Sequence, residues 1–345
     1  MVIRKISYYR VIVSLCLFMF LLSPVFGDEI SAVSFDKELP ENNIVTIQPD
    51  SLRILHNPLT GWVLYASMGV DAADFWAQYD HMYIPELGHN VSVTDYAHTL
   101  YIRASWTDFN PQEDVYGWKI DSNLRAYIEG AYQRNMRLAF RVVVDSRDKR
   151  TEFTPQFVKD AGAKGFMNKG KWSPYSDDSV FQKYYTKFVK ALAKDFNDPS
   201  KVEFIDGFGL GKWGEYHTMI YSTGDDTPKK AVFDWVTDIY SQAFDKVPVV
   251  INYHRWIGAG KDWVDDEHFA ADSEEMLEEA IKKGYSLRHD AFGMTTYYGS
   301  WERRFAKKYR NICPIIMEGG WIVKSHSYWQ DPRGYRKDSH EDVRR

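Results

Sequence analysis

One stretch of the sequence indicates both the fold and the candidate site, Phe204-Ile-Asp-Gly-Phe-Gly-Leu-Gly-Lys-Trp-Gly-Glu215-Tyr-His217. Its apolar start is typical of a strand that is buried on both faces of a parallel sheet. Closely spaced glycines follow, and glycine permits unusual dihedral angles and a close approach of the backbone to a ligand. The stretch therefore predicts a buried strand whose carboxyl end leads to the carboxylate of Glu215.

Similar short apolar runs recur along the chain, separated by amphipathic stretches. Seven runs are predicted as strands: Trp62–Ala66, Thr99–Ala104, Arg137–Val144, Val202–Leu210, Val247–Tyr253, Ala291–Tyr297 and Cys313–Glu318. Helices are predicted over Asn123–Arg134, Ser179–Phe196, Lys229–Asp245 and Ser273–Lys283. This alternation indicates an α/β fold, either a (β/α)8 TIM barrel or a doubly wound sheet. No GxGxxG motif opens a helix, which weakens the doubly wound dinucleotide-binding alternative, so we expect the barrel.

The length of 345 residues fits one large domain. We expect the barrel over residues 51–345, after a polar lead-in at residues 28–50 that contains one short strand, Ile44–Ile47. The segment Lys324–Arg345 is polar and lacks an apolar run that could form an eighth strand. We expect a barrel that is incomplete at its C-terminus, in a chain truncated before or at strand eight; the alternative is a charged tail.

Residues 1–27 have the pattern of a signal peptide, with three basic residues before an apolar run. A membrane anchor is the alternative, but the apolar stretch of about 16 residues is shorter than the roughly 20 that span a bilayer. Cleavage near Gly27 leaves no stable anchor and removes Cys16, so that Cys313 has no internal disulfide partner. We therefore expect a secreted or periplasmic protein.

Loss of the three basic residues changes the formal net charge from −5 to about −8. The sequence shows no basic face of the kind that binds nucleic acid, so nucleic acid is not expected as a partner. No HExxH motif, EF-hand loop or Cys/His cluster is present, so no metal or other cofactor is expected. A GxSxG motif for a serine nucleophile is absent as well.

A second stretch resembles the first, Cys313-Pro-Ile-Ile-Met-Glu318-Gly-Gly-Trp321. It is again an apolar strand that ends in a glutamate followed by glycines and a tryptophan. Cleavage of a glycosidic bond needs two carboxyl groups that face each other across the anomeric carbon. Glu215 and Glu318 could form such a pair, although a glutamate at a strand end often forms a salt bridge or a cap instead.

The order and setting of these elements resemble clan A glycoside hydrolases, the retaining barrel enzymes that include the family 35 and 42 β-galactosidases. In that clan the acid/base glutamate ends strand four and the nucleophile ends strand seven. The resemblance implies that Glu215 is the acid/base and Glu318 the nucleophile, acting on a carbohydrate substrate. Trp213, Tyr216 and the charge of Glu318 are expected to raise the pKa of Glu215.

Further matches extend the resemblance over about residues 51–322. The segment Tyr101–Trp118 is similar to the clan's second-strand segment, so Arg103 is expected to contact the nucleophile. Tyr297, with Tyr298 as the alternative, resembles the tyrosine that hydrogen-bonds the nucleophile. The chain departs from the clan at Gly214, where most families have an asparagine that binds the sugar 2-hydroxyl. The motif around Glu215 is similar to secreted barrel proteins of gut-type Bacteroidetes.

Aromatic and polar residues near these strand ends are candidates for binding the sugar. Six tryptophans could stack on sugar rings, although core packing is the alternative for at least half of them: Trp62, Trp106, Trp213, Trp256, Trp301 and Trp321. Hydroxyl groups could be bound by Asn252, Tyr253, His254 and His217, or these could make structural hydrogen bonds. The long polar segment Ser146–Asp178 is expected to cover one side of the site.

The main alternative function is a carbohydrate-binding barrel without catalytic activity, which would not require Glu215 and Glu318 to converge. About 5 Å between the two carboxyl groups favours a retaining enzyme, and roughly 6.5–9.5 Å favours an inverting one. An esterase or other hydrolase is a more distant alternative.

Overall fold

The computed structural model describes residues 62–66, 68–85, 87–147, 151–260, 267–290 and 298–317. The strands are β1 Trp62–Tyr65, β2 Met82–Ile84, β3 His89–Val91, β4 Ala97–Ser105, β5 Arg137–Val143, β6 Gly165–Asn168, β7 Lys171–Pro174, β8 Val202–Asp206, β9 Val249–Asn252, β10 Ser286–His289 and β11 Ile315–Met317. The α-helices are α1 Ala72–Asp80, α2 Trp106–Phe109, α3 Gly117–Ile120, α4 Ser122–Gln133, α5 Gln156–Asp160, α6 Ser179–Phe196, α7 Lys229–Ala243, α8 Glu267–Lys282 and α9 Ser300–Tyr309.

Seven strands form one sheet in the order β1-β4-β5-β8-β9-β10-β11. Every neighbouring pair is parallel, and the order in the sheet follows the order in the chain. In a doubly wound sheet the strand order reverses at a switch point, whereas here it runs in one direction throughout. The chain therefore has the α/β fold of a (β/α) barrel, and the described residues provide seven of its strands.

Side chains alternate between the two faces of this sheet, as the period of two in a strand requires. On the outer face, residues such as Leu100, Ile102 and Phe140 belong to the large core cluster that includes the helices. The inner face carries a separate small cluster: Tyr101, Ala139, Phe204 and Val250, with Tyr65 and Ile316 packed against it. The barrel thus has two separate apolar clusters, a large one between the sheet and the helices and a small one on the inner face of the sheet.

A contact across the interior shows that the sheet is curled. Arg288 on β10, the sixth strand of the sheet, donates a hydrogen bond to the Tyr101 hydroxyl on β4, the second strand, over 3.1 Å. In a flat sheet, strands four positions apart would be separated by about 19 Å, since neighbours lie about 4.8 Å apart. The interior side chains of distant strands consequently meet.

The helices cover the outer face of the sheet. The longest, α6, occupies the predicted range, and its N-terminus is capped by Asp178, which accepts a hydrogen bond from the Phe181 N–H over 2.9 Å. Its buried residues include Tyr185, Phe188 and Leu192, which follow the helical spacing. Among the described residues, the helices are all too short or too polar to cross a bilayer.

The sixth strand differs from the prediction. It was expected at Ala291–Tyr297, which lies outside the described residues, and the structure has it at Ser286–His289. The strand contains Arg288, which lies in the barrel interior and donates to Asp206. Because of this charge, the strand is not a continuous apolar run, which was the criterion used to predict strands. Helices α1 and α9 were not predicted, and the lead-in strand Ile44–Ile47 lies outside the described residues.

Candidate active site

Glu215 is delivered by an irregular turn that follows β8, the fourth strand of the sheet. Positive φ angles recur along this turn, at Gly209 (73°), Gly211 (73°), Trp213 (60°), Gly214 (72°), Tyr216 (58°) and Thr218 (51°). Left-handed backbone is unfavourable for non-glycine residues and persists only where the surroundings enforce it. Such strain is typical of functional sites.

The turn is held against the third strand, β5. A Cβ atom at Gly209 would lie 2.2 Å from the Val142 carbonyl oxygen, and one at Gly214 would lie 3.3 Å from Val143 Cγ2. The Val144 N–H also donates to the Gly209 carbonyl over 3.2 Å. Glycine at these positions lets the backbone approach the strand end closely, which places Glu215 at the carboxyl edge of the barrel.

Three cationic or hydrogen-bonding side chains surround the Glu215 carboxylate, of which 16% is exposed. Its Oε1 atom lies 3.4 Å from Arg141 Nη1 and 3.7 Å from Arg103 Nη2. Its Oε2 atom lies 3.4 Å from His217 Nε2. The sequence predicted an aromatic and anionic environment for Glu215, whereas the described contacts of its carboxylate are with two arginines and a histidine.

The backbone of Glu215 is fixed separately, by His254 at the end of the fifth strand. His254 Nε2 lies 2.8 Å from the Glu215 carbonyl oxygen, and its Nδ1 lies 3.1 Å from the Trp256 N–H. Since a carbonyl only accepts and an N–H only donates, the ring is the neutral tautomer with its proton on Nε2. Burial, together with the neighbouring His217, lowers the pKa of His254 to about 3.

A network of buried charges lies in the barrel interior below Glu215. Asp206 accepts from Arg141 Nε over 2.8 Å and from Arg288 Nη1 over 3.0 Å, and it also accepts from the Tyr101 hydroxyl. Asp290 pairs with both arginines at 2.6 Å. Burial opposes the charge on Asp290, but the two guanidinium groups outweigh it and hold its pKa far below the ordinary value.

Arg141 connects this network to Glu215. Its Nη1 atom contacts Glu215 Oε1 at 3.4 Å and Asp290 Oδ2 at 2.6 Å, so these two carboxylates lie at the same guanidinium group. The position of Arg141 follows from the register, because it pairs with Arg103 on β4 and both point into the interior. The geometry of Glu215 is thus set by the interior of the barrel as well as by its own turn.

Arg103 donates to the Trp213 carbonyl over 2.6 Å and to the Tyr65 hydroxyl over 3.4 Å. The resemblance predicts that Arg103 contacts Glu318, but Glu318, Tyr297 and Trp321 lie outside the described residues. In the described part of the chain, the carboxylate beside Arg103 is Glu215. The proposed carboxylate pair therefore stays a prediction.

The remaining sugar-binding candidates differ in accessibility. Trp106 has no exposed surface and packs between Phe157, Phe181 and Tyr185 outside the barrel, which is core packing. Trp256 and Trp301 are buried as well, with 3% and 6% exposed, and nothing is described of the Trp62 side chain. Trp213 is half-buried beside the His217 ring, with Lys212 Nζ 4.3 Å from its ring centre.

Asn252 ends the fifth strand in register with Arg288, so its side chain is on the interior face. It is buried, and its Oδ1 atom makes no hydrogen bond with any residue that the structure describes. An interior amide oxygen without a protein partner is suited to accept a hydrogen bond from a ligand hydroxyl.

Sequence reasoning missed most of the interior charges, namely Asp206, Arg141, Arg288 and Asp290. A signal was present, because Arg141 interrupts the apolar run Leu138–Val144 and Asp206 follows Phe204 and Ile205. A charge inside a strand buried on both faces has to be paired. In the ranges that are described, no group of three or more His, Cys, Asp or Glu residues is arranged to hold a metal ion.

No family model matches the chain, and no curated protein matches it either. Solved structures match in part. They include an endo-1,4-beta-xylanase from Caldicellulosiruptor owensensis (12% identity, 68% of each chain covered, TM-score 0.40). Endo-glycoceramidase II from Rhodococcus sp. matches at 13% identity over 81% of this chain and 75% of that one, with a TM-score of 0.41. Xylanase XynB from Paenibacillus barcinonensis matches at 8% identity over 79% and 71%, with a TM-score of 0.43.

Proposed function

We propose that this chain is a secreted glycoside hydrolase that cleaves a poly- or oligosaccharide with retention of configuration, using Glu215 as acid/base and Glu318 as nucleophile. The proposal rests mainly on the position of Glu215. It lies at the carboxyl edge of a (β/α) barrel, where such folds build their active sites. Its partly exposed carboxylate is oriented by Arg103, Arg141 and His217.

The alternation of side chains supports Glu318 as the second carboxylate. Ile316 on β11 packs against the interior cluster of the barrel. A strand alternates its side chains with a period of two, so a continuation of this pattern beyond Met317 would bring position 318 to the interior as well. The carboxyl ends of the fourth and seventh strands belong to the same edge of a parallel sheet, so both glutamates are candidates for one site.

In the first step, the Glu318 carboxylate attacks the anomeric carbon and the bond to the leaving oxygen breaks. Glu215 transfers its proton to that oxygen and becomes an anion. Arg103 and Arg141, whose Nη2 and Nη1 atoms lie 3.7 Å and 3.4 Å from Oε1, stabilise the negative charge that develops on Glu215. The products of this step are the free leaving group and a glycosyl ester of Glu318.

In the second step, water attacks the anomeric carbon of the glycosyl ester while Glu215 takes up a proton from that water. The ester bond breaks, Glu318 is released as a carboxylate, and the sugar leaves with its original configuration. Trp213, which is half-buried and lies beside His217, is the aromatic residue that we assign to stacking on the sugar.

The proposal is tested by screening aryl glycosides against the wild type, Glu215→Gln and Glu318→Gln. Both variants should lose turnover by about 10²-fold or more, since positioned acid–base groups contribute about 10²–10⁴-fold. Azide, which needs no general base, should restore part of the activity of the Glu215 variant. Glu129→Gln, at an exposed helix position, is the matched control and should retain full turnover. Undiminished turnover in either active-site variant removes that residue from the mechanism.

A carbohydrate-binding barrel without catalytic activity is the second candidate. It is favoured by the contacts of Glu215 Oε1 with two arginines, because such pairs also serve to hold a loop in place. This function predicts that the wild type binds glycans, that no glycoside is turned over, and that Glu215→Gln leaves affinity nearly unchanged.

A further inference from the structure

The hairpin formed by β6 and β7 packs against the segment that follows the third barrel strand, β5. Its two strands are joined by a two-residue turn, Lys169 (φ 48°) and Gly170 (φ 75°), the positive angles of a tight hairpin turn. Its base is fixed by Ser146, whose N–H donates to Ser173 Oγ and whose Oγ donates to the Trp172 carbonyl, both over 2.9 Å. The hairpin therefore lies at the carboxyl edge of the barrel, as Glu215 does.

The register of the hairpin places Lys171 on a particular face. Phe166 lies opposite Ser173, and Asn168 lies opposite Lys171, so these four residues share one face. Ser173 on this face contacts Ser146 at the end of the third strand. An aromatic ring, an amide and a lysine are thus presented together on the face that meets the barrel edge.

The hairpin is positively charged in an acidic protein. The whole chain has a formal net charge of −5, yet residues 161–176 contain Lys164, Lys169 and Lys171 and no acidic residue. Lys164 and Lys169 are exposed and Lys171 is half-buried. Neither Lys164 nor Lys171 forms an ion pair with a residue in the described ranges. Lys212, in the turn that carries Glu215, adds a further positive charge on this edge.

We propose that this hairpin is a subsite for the anionic groups of an acidic glycan, either carboxylates of uronic acid units or sulfate esters. Lys164 and Lys171 attract the anions, while Phe166 and Asn168 offer a ring and an amide to the sugar. The assignment of this glycan as substrate rests on the proposed hydrolase function. Binding itself does not need catalysis, so the two claims can fail separately.

The test is affinity electrophoresis of the full chain through gels containing polygalacturonate, dextran sulfate or neutral dextran. The wild type should be retarded by at least one of the acidic polymers and not by dextran, and 0.5 M NaCl should abolish the effect through screening. The variant Lys164→Gln/Lys169→Gln/Lys171→Gln should bind about tenfold more weakly. Retardation by polygalacturonate alone identifies carboxylates, and retardation by dextran sulfate alone identifies sulfate esters.

A charge-matched control separates a subsite from a general effect of net charge. Lys190→Gln/Lys194→Gln/Lys307→Gln removes three exposed lysines from helices α6 and α9 and should keep wild-type retardation. Equal loss in both triple variants, or no retardation of the wild type by either acidic polymer, overturns the proposal. Glu215→Gln should bind the acidic polymer like the wild type. Retained binding together with lost turnover in this variant supports both claims. If the wild type binds the polymer but turns over no glycoside, the result supports the subsite alone.

Discussion

At the scale of single residues, Glu215 is held twice: its carboxylate by Arg103, Arg141 and His217, and its backbone by His254. The sequence could single out Glu215 and His217, because a strand running into glycines marks a strand-end turn. It could not show which side chains from other strands converge on that turn. Arg141 was missed for this reason, since its role depends on the register of β5 with β4.

The buried neutral His254 predicts a loss of stability in mild acid. Its pKa is about 3 in the folded protein and about 6.5 in the unfolded chain, so only the unfolded chain takes up the proton between these values. Stability from this group is present above pH 6.5 and falls as the pH drops towards 3, by up to ~1.4 kcal/mol per unit. From pH 6.5 to 5.0 the free energy of unfolding should fall by about 2 kcal/mol on this account.

Urea denaturation at the two pH values measures this change in the wild type and in His254→Gln. The glutamine stays neutral and can still donate to the Glu215 carbonyl, so the variant should lose about 2 kcal/mol less than the wild type between the two pH values. An equal pH dependence in both proteins would show that His254 is not the group responsible.

At the scale of elements, the turn after β8 depends on glycine for two distinct reasons. Gly209 has a left-handed backbone and also lies against the Val142 carbonyl, whereas Gly224 has a similar φ of 77° with open space around its Cβ position. The comparison of these two glycines separates the cost of the dihedral angle from the cost of the clash.

Gly224→Ala should destabilise the protein by about 1 kcal/mol, the cost of left-handed backbone for alanine. Gly209→Ala should cost at least ~2 kcal/mol more, because its Cβ would have to displace backbone atoms of β5. Urea denaturation measures both losses. If the two substitutions cost the same, the turn is not pressed against the third strand as described.

Helices and strands were predictable from the sequence where their apolar residues followed a regular pattern. Helix α6 was found in full from its spacing. Strands β5 and β8 were found because each has several apolar residues besides its one buried charge, Arg141 or Asp206. Strand β10 was misplaced because its interior positions include Arg288, which breaks the apolar run. Charged residues in a barrel interior interrupt the apolar runs by which strands are predicted, so a short strand with such a residue can be missed.

At the scale of the whole molecule, buried charges link strands that are far apart in the sheet. Tyr101, Arg141, Asp206 and Arg288 belong to the second, third, fourth and sixth strands and meet inside the barrel. The order of the strands in the sheet was predictable from the repeated strand–helix pattern, and six of the seven strands lie where a run was predicted. Their closure around a charged centre was not, because it depends on contacts between residues up to 187 positions apart.

Arg141→Gln should destabilise the protein by about 3–5 kcal/mol, since it leaves the buried carboxylates of Asp206 and Asp290 without one of their counter-charges. Denaturation by urea checks this value. The exposed pair of Arg125 and Glu129 provides the control, and Arg125→Gln should cost at most ~0.5 kcal/mol. A loss below about 1 kcal/mol in Arg141→Gln would mean that the interior network is not closed.

The pairing of Glu215 with Glu318 is tested most directly by the distance between their carboxyl groups in crystals of the protein. The retaining mechanism predicts about 5–5.5 Å, with both groups facing the same gap at the carboxyl edge of the barrel. A separation well beyond about 9.5 Å, or a Glu318 side chain turned towards the helix layer, would contradict the proposed pair.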